Sequence, residues 1–320
     1  MYGIHPTPTQ TSLDFGQAFR NLLSLPPHEQ FEAAAKLRSI FNIPAQKEEW
    51  NTQFNGDSLF AAWTRCTLMH QLYTSNALIL RNWLQSRRQW RVIDIGGGDG
   101  RLWSYVLNLE DEGELVVVDP ASEVHEQVRQ KLPPGVSLVS IQAPVETVEL
   151  GEADAVVCSL ILHHVAGMDA NERRNHGLEG SGKLEILQEI AKALKPRQGL
   201  GILNEADFYS DLGLPSGHPL LVNNLIEAYV RRVGFSLLLD AEAIQDDGDG
   251  MAERWYSIIN QWCLGQLDKA YSPVAERYDY FLDLPRWLAS IDRAGLKTID
   301  RKCTDNFGIF YQYILKSKEY

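Results

Sequence analysis

Two histidines in succession, His163-His164, follow the apolar run Asp154–Ser159, and a second apolar run ends in Asn204-Glu205-Ala206-Asp207. A histidine oriented by a carboxylate is a competent general base near neutral pH. If the two runs are parallel strands of one sheet, their carboxyl ends open onto one crevice, and Glu205 can reach His163. Adjacent helical side chains point about 100° apart, so at most one of the two histidines is expected to face that crevice. The plainer alternatives are that one histidine packs or caps its helix while the other is solvated, and that Glu205 and Asp207 cap the segment after them.

A second group stands upstream. In Val92-Ile93-Asp94-Ile95-Gly96-Gly97-Gly98-Asp99-Gly100-Arg101, an apolar strand runs into a glycine turn with an acidic residue at each end. Gly96, Gly98 and Gly100 permit a sharp turn and let a ligand lie against the main chain. A dinucleotide-binding turn would place its third glycine where Arg101 stands. Asp94 and Asp99 repel a phosphate and attract an ammonium group, which favours a nucleoside carrying an amino-acid tail, such as S-adenosyl-L-methionine. A nucleoside-binding α/β unit needs a carboxylate ending the next strand about 20 residues on. Leu115-Val116-Val117-Val118-Asp119-Pro120 supplies it, with Asp119 placed to accept two ribose hydroxyls, or else to cap a helix.

On these residues the chain resembles the class I S-adenosylmethionine-dependent methyltransferases, closely over about 88–208 and more loosely over 285–318. The resemblance implies a Rossmann-like α/β fold: a seven-stranded sheet with an antiparallel last strand, an N-terminal helical region and a helical lid insertion. It implies cofactor contacts from Asp94, Gly96, Gly98, Asp99, Gly100, Asp119, Pro120, Cys158, Ser159 and Leu160, and places His163 and His164 beside the acceptor. Where many family members carry an acidic residue for the adenine amino group, this chain reads Ile141-Gln142-Ala143-Pro144, so Gln142 and Ala143 take that place, with Glu146 as the fallback. The pattern Leu162-His163 … Leu203-Asn204-Glu205 is also similar to the C-methylating domains of polyketide synthases, in which a His–Glu pair deprotonates an acidic carbon. The connection Asn171–Gly182 and the histidine doublet depart from those domains.

The elements that must position these groups follow from periodicity. Strands are expected at 91–95, 115–119, 136–141, 154–160 and 199–204, and helices at 101–109, 121–132 and 183–194. Alternation of this kind signals a parallel sheet with helices on both faces. Residues 1–88 read as a helical lid or interface region. Phe31, Ala34, Leu37 and Phe41 recur at helical spacing, and a longer amphipathic run starting at Asp57 carries Phe60, Trp63, Cys66, Met69, Tyr73, Leu80 and Leu84. These aromatics are expected to form a core or the interface of a homodimer, with Trp63 and Tyr73 alternatively roofing a pocket. Residues 89–320 form the cofactor-binding catalytic domain, interrupted at about 209–284 by helices near 219–233 and 251–270. The acidic loop Asp246–Gly250 between them lacks the glutamate of a calcium loop and reads as a solvated turn. A helix Trp287–Ala294 and strands at 296–303 and 308–316 close the chain.

Composition narrows the partners. The net charge of −12 opposes nucleic-acid binding, which needs basic patches; the only cluster is Arg87, Arg88 and Arg91. No apolar run approaches the roughly 20 residues of a membrane span, and no signal peptide is visible. Cys66, Cys158, Cys263 and Cys303 form no C-x-x-C pair, which indicates neither zinc nor disulfides and suits the cytoplasm. Scattered histidines and acids (His163, His164, His176, His218, Glu205, Asp207, Asp211) lack metal-ligand spacing, so no metal is expected. The leading expectation is methyl transfer to a small-molecule acceptor of secondary (natural-product) metabolism, oxygen ahead of carbon, with a histidine base. The rivals are C-methylation of a polyketide-like or carrier-bound substrate, a noncatalytic nucleoside-binding scaffold, and an oxidoreductase on the same sheet.

Overall fold

The computed structural model describes residues 10–40, 63–165, 171, 180–211, 214–244, 265–266, 270–272, 277 and 279–318. The sequence expectations at Phe41, Asp57, Phe60, the loop 246–250, most of the helix 251–270, and His176 lie outside them. The chain divides into two compact units, Met1–Leu68 with Leu214–Pro273 and Met69–Gly213 with Val274–Tyr320.

The second unit holds the site. Its sheet has seven strands: β1 Arg91–Ile95, β2 Gly113–Val118, β3 Val136–Ile141, β4 Ala155–Ser159, β5 Leu200–Glu205, β6 Leu296–Cys303 and β7 Tyr311–Ser317. Their order is β3-β2-β1-β4-β5-β7-β6, with β7 antiparallel to both β5 and β6 and the other pairings parallel. The central strands are apolar nearly throughout because both faces are covered: Val92, Ile93, Leu115, Val116, Val117, Val156, Val157 and Leu203 are all buried. Pairing between the β1–β4 and β4–β5 neighbours brings Ile95, Ser159 and Glu205 to one end of the sheet.

Element ends differ from expectation for local reasons. β4 stops at Ser159 because Leu160 adopts φ +57°, a left-handed conformation that leaves the strand. The helix after the glycine turn, Arg101–Val106, ends early where Leu107 becomes extended. The helix expected at Trp287 starts at Leu284, because the Asp283 carboxylate accepts the Arg286 N–H and Pro285 sits in the first turn. β7 starts at Tyr311, after Asp305 has gathered the backbone N–H groups of Phe307, Ile309 and Phe310 into a loop. The helix Ser181–Ala193 buries Ile186, Leu187, Ile190 and Ala193 in the core beside β4 and β5 residues.

The first unit is helical among the described residues. Helices Gln10–Ser24 and Pro27–Ile40 bury Phe19, Leu22, Ala34 and Leu37. The helix expected at 219–233 runs on: α-helical over Pro219–Leu225, it widens to a π-helix over Ile226–Val233 and resumes over Gly234–Ile244. Its buried face continues past Gly234 through Leu237, Leu238 and Ala241, which is why that glycine does not end it. Arg231 donates to the Leu25 carbonyl at 2.8 Å and Asp240 accepts the Thr67 N–H at 2.9 Å, tying the segments of this unit together. Among the described residues, no helix is long and apolar enough to cross a membrane.

Candidate active site

The glycine turn leaves β1 through left-handed backbone at Gly96, Gly98 and Gly100, with φ +72°, +56° and +70°. At Gly100 a Cβ would stand 2.8 Å from the Val128 Cα, so glycine is required twice over, by conformation and by space. Asp94 is buried and accepts the Trp103 indole N–H at 2.7 Å. Burial pushes its carboxyl up to about 7, with Trp103 opposing and Asp119 adding to the rise. Asp119 is likewise buried and raised by burial to about 6, while the backbone N–H groups of Ala121 and Gly98 hold it down. The neighbouring helix Ser122–Arg129 contributes His125, whose Nε2 lies 3.0 Å from the Asp119 carbonyl oxygen.

Two buried carboxylates beside an open-backbone glycine turn form an acidic cradle. It suits a ligand that brings an ammonium and hydroxyl donors, and it disfavours a phosphate. The residues present therefore fit S-adenosyl-L-methionine: Asp94 would meet the amino-acid end and Asp119 the ribose. Asp99 is engaged otherwise, accepting from the Arg101 backbone N–H at 3.0 Å and its guanidinium at 3.1 Å. Gln142 is exposed in the turn after β3, where Asp119 N–H and Ala143 N–H both donate to the Ile141 carbonyl; Pro120 is exposed as well. Cys158 packs its side chain in the core, and burial, Glu205 and Asp94 all raise its thiol. Ser159 stays half-buried and accepts from the amides of Asn204 at 2.8 Å and Asn76 at 3.2 Å. Asn76 comes from the helix Thr67–Leu84 and accepts in turn from Gln312 of β7.

After the left-handed Leu160 the chain makes a 3-10 turn, Leu162–His164, that presents both histidines. Glu205, fully buried at the end of β5 and 42 positions from His163, organises that turn. One of its oxygens accepts the Leu162 N–H at 2.7 Å and the His163 N–H at 3.3 Å; the other faces His163 Nδ1 at 2.8 Å. A carboxylate can only accept, so Nδ1 carries the proton and the neutral ring keeps its lone pair on Nε2. His163 is also stacked on Phe281, with centroids 5.1 Å apart and planes at 12°.

His164 has a carboxylate of its own: its Nδ1 lies 2.7 Å from Asp279 Oδ1. The two imidazoles are 3.9 Å apart between centroids. The ligating atoms of His163, His164 and Asp279 fall within 4.8 Å of one another. Because both Nδ1 atoms already face carboxylates, the arrangement is two His–carboxylate pairs side by side. Asp207 is directed elsewhere, into a bidentate ion pair with Arg301 of β6 at 2.7 Å and a bond from the Tyr313 hydroxyl. His218, in the other unit, caps a helix by accepting the Leu220 N–H.

The structure thus brings His163, His164 and Glu205 together. It adds Asp279, Trp103, His125 and Asn76, which no motif in the sequence marks.

Residues 92–197, from β1 to beyond the helix Ser181–Ala193, match the family model described as a methyltransferase domain. A search of curated protein sequences finds no match. Among solved structures, the chain is similar to the N-methyltransferase NodS from Bradyrhizobium japonicum WM9 in complex with S-adenosyl-L-homocysteine. That match has 12% identity over 84% of this chain and 100% of the other, with a TM-score of 0.44. It is similar to the 1,6-didemethyltoxoflavin-N1-methyltransferase of Burkholderia thailandensis at 15% identity, over 92% of each chain, with a TM-score of 0.46. It is similar also to an O-methyltransferase family protein from Burkholderia thailandensis, at 17% identity over 98% of this chain and 75% of that one, with a TM-score of 0.44. Residues 92–197 thus match a methyltransferase domain, over the stretch in which the sequence resembles the class I S-adenosylmethionine-dependent methyltransferases.

Proposed function

We propose that the chain methylates a small-molecule acceptor of secondary metabolism, at oxygen ahead of carbon, with His163 as general base and Glu205 as its orienting partner. The observation that carries this reading is the 2.8 Å contact between His163 Nδ1 and the fully buried Glu205. Bound S-adenosylmethionine supplies an electrophilic methyl group on a sulfonium that departs as a neutral thioether. The protein's share is then to hold the acceptor in line and to take up its proton. His163 takes that proton on Nε2, and Glu205 stabilises the resulting imidazolium through Nδ1–H. Glu205 also clamps the backbone of Leu162 and His163, so the ring is fixed before the acceptor arrives.

The test is turnover of methyl-labelled donor with a panel of phenols, hydroxy acids and β-dicarbonyl compounds. At saturating cofactor His163→Gln is expected to lose about 100-fold or more in kcat, with unchanged affinity for S-adenosylhomocysteine. Full turnover in His163→Gln overturns the base assignment. The same pair supports a second reading, removal of a proton from an acidic carbon of a carrier-bound substrate; C-methylated products from the β-dicarbonyl members of the panel would favour it. Cys158, a buried thiol, and Cys303, an exposed one, neither of them in a disulfide, support a reducing cytoplasmic setting.

A further inference from the structure

The histidine doublet carries the features of a pair of metal ligands. Each imidazole has a carboxylate on Nδ1: Glu205 lies 2.8 Å from that of His163, and Asp279 2.7 Å from that of His164. A metal-ligating histidine almost always directs its second ring N–H at such a partner, which fixes the tautomer and leaves the lone pair on Nε2 for the ion. The two rings stand 3.9 Å apart between centroids, with planes tilted by 46°. The ligating atoms of His163, His164 and Asp279 all fall within 4.8 Å of one another. Two bonds of about 2.1 Å placed end to end reach about 4.2 Å, so a small inward movement closes the set on one ion. Glu205 and Asp279 are both buried, so two negative charges face that ion in surroundings that screen them little.

The backbone holds these groups in place without an ion. Tyr280 N–H donates to the His163 carbonyl at 2.8 Å, which stitches the residue after Asp279 to the doublet. Phe281 stacks on His163 and donates its N–H to Asp211 at 2.7 Å. Lys183, fully buried in the first turn of the helix Ser181–Ala193, donates to the Val165 carbonyl at 3.1 Å and fixes the chain just past His164. Its ammonium is drawn to the same Glu205 and Asp279 and so limits the affinity for a second cation. We propose that His163, His164 and Asp279 form a site for one divalent transition-metal ion of the zinc class, with Glu205 as the outer partner of His163. Two imidazoles and one carboxylate suit zinc and disfavour magnesium, which takes oxygen ligands. Spacing along the chain hides the site, because Asp279 comes from a segment well beyond β5. The ion and an acceptor's proton compete for one lone pair on Nε2, so a bound ion switches the base off. That consequence rests on the reading of His163 as base; the site itself does not.

The measurement is calorimetric titration of the full chain with zinc, after treatment with a chelator and with no methyl donor or acceptor present. One zinc ion per chain is expected, with magnesium bound at least about 100-fold more weakly. His164→Gln and Asp279→Asn are each expected to weaken zinc binding by about 100-fold or more, and Glu205→Gln by about 10–100-fold. His28→Gln, at an exposed histidine of the other unit, is expected to leave it unchanged. The proposal is overturned by the absence of stoichiometric binding, by a preference for magnesium, by binding lost in His28→Gln, or by wild-type affinity in folded His164→Gln or Asp279→Asn. Should Asp279→Asn fail to fold, His164→Gln decides alone: weakened binding supports the proposal and unchanged binding overturns it. The titration involves no methyl transfer, so its outcome is separate from that of the base assignment, which the turnover of His163→Gln tests.

Discussion

At the scale of single residues, the acidic cradle trades stability for ligand affinity. Asp94 sits at about 7 in the folded chain against an ordinary 3.8, because burial disfavours its charge. The folded state therefore holds more protons than the unfolded chain between about pH 4 and 7. The stability this group contributes is present below pH 4 and is lost as pH rises to 7. Asp119, raised to about 6, adds a loss of the same sign over a narrower window. The cofactor-free protein is therefore expected to melt at lower temperature at pH 8 than at pH 5. Asp94→Asn keeps an acceptor for the Trp103 N–H but cannot ionise. It is expected to flatten that slope, raise the pH 8 melting temperature by a few degrees (about 1 kcal/mol or more), and weaken binding of S-adenosylhomocysteine. Calorimetry with and without the ligand reads both effects; a variant no more stable at pH 8 than the wild type contradicts the account of Asp94.

At the scale of elements, the turn after β1 and the turn after β4 set the site, and each depends on left-handed backbone. Gly100→Ala combines φ +70° with a Cβ placed 2.8 Å from the Val128 Cα, so the helix Ser122–Arg129 must shift. The expected cost is about 2 kcal/mol or more, a fall of roughly 4–8 °C in melting temperature, together with loosened cofactor binding because Asp119 precedes that helix. Chemical denaturation checks it, and an unchanged midpoint would show that the turn relaxes freely. The positions of the parallel strands were legible in the sequence because fully covered parallel strands leave near-continuous apolar runs, and Gly96–Gly100 and Asp119 marked the ends of the first two. Strand and helix ends were less legible, since they turn on single residues: Leu160 leaving β4, Asp283 capping the last helix, Asp305 holding the final hairpin. The convergence of Glu205 on His163 was readable from the rule that neighbouring strands end on one crevice. Asp279 was not, because no periodic pattern surrounds it. Lys183 did leave a trace: it falls on the same helical stripe as Ile186, Leu187 and Ile190, where a lysine is out of place unless paired.

At the scale of the whole molecule, a chain of net charge −12 offers two buried carboxylates as the proposed cofactor cradle and two His–carboxylate pairs for the proposed chemistry. Such a surface suits a small acceptor better than a polyanion. The central claim is that His163 and Glu205 act as one base, and a double-mutant cycle on turnover measures that directly. With His163→Gln, Glu205→Gln and the double variant assayed at saturating S-adenosylmethionine, the account predicts that the double variant loses no more than His163→Gln alone, because Glu205 acts through the His163 ring and the turn that carries it. Losses that multiply, with the double variant slower by the product of the two single effects, would contradict it.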